Sequence, residues 1–211
     1  ASTLLLAITR HLTQDVAPVP FLWVLPLSLY LLSFILCFDA PRYYARPFFL
    51  AALPLAFLGL DQVMDEGMAV PWLIALLSTA LFVICMVCHG ELVRRKPHPR
   101  HLTLFYLMLS LGGALGGMFV GLLAPVVFNA YFEFPIGLFL CALLVVVVLW
   151  KELRPRWRVL LLLALCGYGI RLGQVSMEFV DGYRIVVRNF YSQLRISEWD
   201  DEKPGRKRVM V

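Results

Sequence analysis

Charge is what this chain has least of. Asp, Glu, Lys and Arg make up 16% of its 211 residues, where a soluble domain carries about 25%. Hydrophobic residues reach 61% and the mean hydropathy is +0.79, more apolar surface than a water-soluble core could hide. Also missing are a zinc-protease HExxH, a Walker loop, a serine-nucleophile elbow and a dinucleotide fingerprint. Catalysis by this chain alone therefore has no motif behind it, and no metal site or cofactor is expected. No basic stretch precedes Ser2 to Ile8, so no signal peptide is recognisable, and an opening on Ala1 instead of Met points to a segment of a longer polypeptide. Cysteine builds no framework either. Cys37, Cys85, Cys88, Cys141 and Cys166 all fall in or beside apolar runs and read as small core residues.

What the chain does have is long apolar runs with charges between them. A span needs about 20 residues to cross about 30 Å of hydrocarbon, which places spans at about 21–38, 48–60, 70–88, 102–128, 134–150 and 157–170. The second is short and contains Pro54, and the sixth is brief for a crossing. The expected class is an all-α polytopic membrane protein with five to six transmembrane helices over residues 1–174. Arg42 and Arg46, then Arg94, Arg95, Lys96 and Arg100, then Lys151, Arg154, Arg156 and Arg158 follow alternate spans. Asp61, Asp65, Glu66 and Glu133 mark the loops between. The positive-inside rule makes the basic loops cytoplasmic. The formal charge of +5 then reports topology and lipid headgroup contact rather than a nucleic-acid surface. From Val175 apolar and polar residues alternate through Tyr183–Tyr191 and Gln193–Trp199, with a turn at Asp200–Gly205 before Arg208–Val211. That pattern predicts a short C-terminal β-hairpin tail, 175–211, as the start of a further domain.

Gly112, Gly113, Gly116, Gly117 and Gly121 give overlapping GxxxG spacings in the fourth run. Missing side chains at i and i+4 let helices approach closely, so these residues read as a packing surface. Cys85, Cys88 and His89 spell CxxCH, the spacing of c-type haem attachment. The motif runs into the basic Arg94 loop, on the cytoplasmic side, whereas covalent haem attachment belongs outside, so a redox role is the weaker reading. His89, Glu91, His98 and His101 fall at one membrane face and form a candidate polar site. His11 and Asp15, four apart, share a helix face, and the alternation of spans puts them on the opposite side from His89.

Several stretches carry a resemblance: His11–Pro26 (HLTQDVAPVPFLWVLP), Leu27–Phe38 (LSLYLLSFILCF), Cys88–Leu92 (CHGEL), Tyr106–Gly117 (YLMLSLGGALGG), Ala124–Phe128 (APVVF) and the tail motif Arg188–Ile196 (RNFYSQLRI). In this order they resemble the membrane half of bacterial spermidine synthase-like fusion proteins. The resemblance implies several transmembrane helices ahead of an aminopropyltransferase-like domain that would bind decarboxylated S-adenosylmethionine and a polyamine. The catalytic elements of that domain do not occur in this chain, so no catalytic residue is carried over.

The expectation is thus a non-catalytic inner-membrane module whose partners are the lipid bilayer and neighbouring helices, with His11, Asp15, His89, Glu91 and His101 as its polar candidates. The alternative is an accessory subunit of a larger membrane complex. A c-type haem redox protein and a small-cation transporter rank below both; the six runs show no inverted repeat to support transport.

Overall fold

The structure, a computed structural model, describes residues 1–13, 20–62, 69–128, 132–181, 185–188 and 193–196. Among these, the helices are α1 (Ser2–His11), α2 (Pro20–Asp39), α3 (Arg46–Gln62), α4 (Val70–Arg94), α5 (Leu102–Met118), α6 (Ala124–Val127), α7 (Glu133–Leu149) and α8 (Pro155–Asp181). Among the described residues up to Asp181 the regular structure is helical, as the long apolar runs predict. Four stretches are long and apolar enough to cross a membrane by length and composition: Leu22–Asp39, Val70–Arg94, Pro99–Val127 and Pro155–Met177. α7 is apolar but shorter.

Proline sets several boundaries. Pro71 opens α4 in its first turn, where a missing N–H costs nothing, with Ala69 extended before it. Pro97 and Pro99 follow the end of α4, and Pro99–His101 is a single 3-10 turn leading directly into α5. α5 and α6 are one rod joined through a π-helical turn, Phe119–Leu123. Pro125 sits just beyond it, lacking an N–H and crowding the carbonyl of Gly121 four residues back, and the wider turn relieves that conflict.

Burial shows which helix is central. In an 18-residue apolar window of Val70–Arg94, 39% of residues are buried, against 11% in the corresponding windows of Pro99–Val127 and Pro155–Met177. α4 packs against both α2 and α3 and contributes the fully buried Leu77, Leu81, Ile84 and Cys85. α1 supplies Leu4 and Ile8 to the same core, and Leu12 just after it joins them. Outward-facing positions stay apolar, among them Ile35, Leu55, Leu115, Val126 and Leu163. Helices solvated by lipid have this character, because no polar outer face is needed.

α8 extends past the expected end of the sixth run. Leu172 and Val175, three apart, are both buried, so the stretch read as alternation from Val175 follows the helical period instead, and helix persists to Asp181. Beyond it, β1 (Ile185–Arg188) and β2 (Gln193–Ile196) pair antiparallel, with Ile185 opposite Ile196. The turn expected at Asp200–Gly205 and the strand at Arg208–Val211 lie outside the described residues.

The glycine face divides. A Cβ on Gly116 would collide with the Ser2 hydroxyl and stand 3.4 Å from the Thr3 backbone nitrogen, whereas Gly112, Gly113 and Gly121 face open space and Gly117 only grazes Leu6. One glycine of the five is thus the close-approach point of α1 on α5. Gly116→Leu is expected to destabilise the detergent-solubilised protein by about 1–3 kcal/mol through overpacking, while Gly112→Leu leaves the melting midpoint near wild type. Equal melting curves for the two variants would refute the α1 contact.

Candidate functional site at the basic end of the bundle

Glu91 lies on the last turns of α4 and is buried, although charged residues follow it at Arg94, Arg95 and Lys96. Its carboxylate is fully engaged. Arg46, the first residue of α3, donates from Nε to Oε1 at 2.6 Å, Tyr44 donates its hydroxyl to the same oxygen at 3.1 Å, and Arg94 approaches at 3.5 Å. The other edge of the Arg46 guanidinium donates to both oxygens of Glu152, at 2.5 and 2.9 Å. A planar guanidinium suits such two-sided pairing in a way an ammonium does not. α3, α4 and the turn after α7 are thereby tied at one point. Arg95 adds a contact from α4 to the Val148 carbonyl of α7.

Burial, and then the Glu91 carboxylate, raise the Tyr44 phenol above its ordinary pKa, which keeps it a neutral donor to Glu91. Hydrogen bonds from Arg46 hold Glu152 below the usual carboxylate range. Its contribution is therefore present above the unfolded-state pKa and is lost only as pH falls through the depressed one. Beside this network a cleft of about 360 Å³ is lined by Cys37, Tyr44, Arg46, Gly90, Val93 and Arg94.

One half-turn back along α4 is His89, 3% exposed. Its Nδ1 lies 3.0 Å from the Ser33 hydroxyl of α2, and the Tyr30 and Phe34 rings meet its imidazole edge-on. Ser33 also lies 2.8 Å from the Tyr30 carbonyl, which can take its single hydroxyl hydrogen and leave the oxygen to accept from Nδ1. Cys85, one turn earlier, is fully buried, and Cys88 turns its sulfur to Cys141 of α7. Of the CxxCH residues, Cys85 and His89 are buried and Cys88 is partly exposed. Among the described residues no group of three or more His, Cys, Asp or Glu side chains is placed to hold a metal ion.

The polar candidates thus separate. His89 and Glu91 both lie near one end of α4 but face different partners, Ser33 for His89 and Tyr44 with Arg46 for Glu91. His98 and His101 are exposed on the turn that follows and do not join them. His11 stacks on Phe134 at the start of α7, next to the Arg10–Glu133 ion pair at 3.3 Å. That is the opposite end of α7 from Glu152, as the alternation of charges predicts. Asp15 lies outside the described residues. Asp61 and Arg171 pair at 3.2 Å, well away from the basic end, since Arg171 stands sixteen residues or about 24 Å of helix beyond Pro155.

Arg46 reads in sequence as an ordinary loop charge, and Glu152 and Tyr44 belong to no motif there. Only a proline-bounded turn between runs hinted that Arg46 opens a helix facing α4. Comparison of the chain with protein-family models, with curated proteins and with solved structures gives no match in any of the three.

Proposed function

We propose that this chain is a multi-pass helical module of the bacterial inner membrane that anchors and positions an attached domain, in the manner implied by its resemblance to spermidine synthase-like fusion proteins. It is not catalytic by itself. The observation that carries the reading is the combination of four membrane-length apolar helices with an outward surface that stays apolar. The distribution of ion pairs supports crossings by α3 and α7 as well. Arg46, Glu91 and Glu152 gather at one end, and Arg10 with Glu133 and Asp61 with Arg171 gather away from it, as six alternating crossings require. The basic end is then cytoplasmic, and the paired strands after α8 emerge on the other side, as the opening of the positioned domain.

Two measurements test this. A His98→Cys variant, on the turn after α4, should react with a membrane-impermeant maleimide in inverted vesicles and not in intact cells; labelling from outside would overturn the orientation. Purification from the native host in mild detergent should yield one longer polypeptide carrying this segment. Stable co-migration of separate chains would instead favour the second reading, an accessory subunit of a larger membrane complex, for which the open side of Gly112, Gly113 and Gly121 speaks.

A further inference from the structure

Two of the five cysteines, on different helices, touch. Cys88 Sγ of α4 lies 3.9 Å from Cys141 Sγ of α7, and both are free thiols. Cys85 stands one turn before Cys88 on the same helix face, while Cys37 is engaged elsewhere, with the Met86 carbonyl and sulfur. Cys166 is exposed on α8.

From this geometry we infer that Cys88 and Cys141 form a redox-active dithiol that closes to a disulfide between α4 and α7, with a lipid-soluble quinone as the two-electron acceptor. A disulfide has its sulfurs about 2.05 Å apart, so about 1.9 Å must close. Exposure differs between the partners. Cys141 is buried and Cys88 is partly open, so an oxidant meets Cys88 and the second sulfur closes the bond from within.

The acceptor class follows from depth. Cys88 lies six residues before Arg94, about 9 Å along the helix from the basic end, and Cys141 lies eight residues before Leu149, about 12 Å. Charged, membrane-impermeant oxidants are excluded at that depth, whereas a quinone partitions there. The step balances: two S–H bonds break, one S–S bond forms, and two electrons with two protons convert the quinone to the hydroquinone. The bond would pin the central helix to α7 where the two already touch, beside α1, which packs against both.

The test uses the native polypeptide in its membranes. One sample is treated with diamide, a direct thiol oxidant, and another with decylubiquinone, a fully substituted benzoquinone that has no free ring position for thiol addition. Remaining thiols are alkylated and the protein is digested without reduction for mass spectrometry. The expected result is a linked pair of peptides containing Cys88 and Cys141 with both reagents, and hydroquinone formed in proportion. The link should be lost in Cys88→Ser and Cys141→Ala and kept in Cys85→Ala and Cys166→Ser, with melting curves confirming that each variant folds. Absence of the linked pair with diamide overturns the dithiol. Linkage with diamide but not with the quinone overturns the acceptor, and unchanged linkage in Cys88→Ser overturns the pairing.

Discussion

Replacing Glu91 by Ala is expected to cost about 3 kcal/mol of stability, the lower end of the range for stripping one partner from a buried ion pair, because Arg46 keeps 22% exposure. The loss has two sources. Arg46 would retain only Glu152, whose side chain is 48% exposed and whose attraction water screens. The buried Tyr44 hydroxyl would lose its acceptor altogether. Glu91→Gln, which keeps one acceptor oxygen, should fall between wild type and Glu91→Ala. Glu152→Ala should shift the melting midpoint far less than either Glu91 variant. The measurement is thermal unfolding of the purified protein in one detergent, and the network account fails if Glu152→Ala proves as damaging as Glu91→Ala.

Gly90→Ala is expected to have the next largest effect, and here two terms oppose each other. Alanine in a helix interior is favoured over glycine by about 1 kcal/mol, so on propensity alone the change should stabilise α4. The new Cβ, however, would stand 2.5 to 2.6 Å from three carbons of the Tyr44 ring. A buried aromatic ring cannot fold away as the tip of a lysine can, and overpacking of this kind costs about 1–3 kcal/mol. Displacing the ring would also break its hydrogen bond to Glu91. The net result is a lower melting midpoint. Gly90→Ala combined with Tyr44→Leu should lose less than the sum of the two single changes, because the clash no longer exists in the double variant. Strict additivity would show that the ring does not sit over Gly90.

Both predictions concern a site only half of which is legible in the sequence. His89 and Glu91 stand out because ionisable side chains at the end of an apolar run are rare enough to be noticed. Their partners are not rare. Arg46 belongs to a loop with several arginines, Ser33 is a small polar residue inside α2, and nothing near them in sequence marks either as a neighbour of α4. His101 and His98 failed to join the site for the converse reason. Closeness in sequence to His89 did not survive the turn at Pro97 and Pro99, which leaves them exposed. The glycines behaved likewise. All five satisfy the spacing, but only the path of α1 across α5 selects Gly116.

The class of this protein follows from one-dimensional properties. Apolar run length measured against hydrocarbon thickness, and the alternation of basic and acidic turns, are sums over neighbouring residues and need no partner. Which side chains meet was decided by packing alone. Arg46 and Glu91 are 45 residues apart, Cys88 and Cys141 are 53 apart, and Arg10 and Glu133 are 123 apart. Helices in lipid are placed by side-chain contact and small-residue approach, without hydrophobic drive between them, and hydropathy carries no record of those contacts.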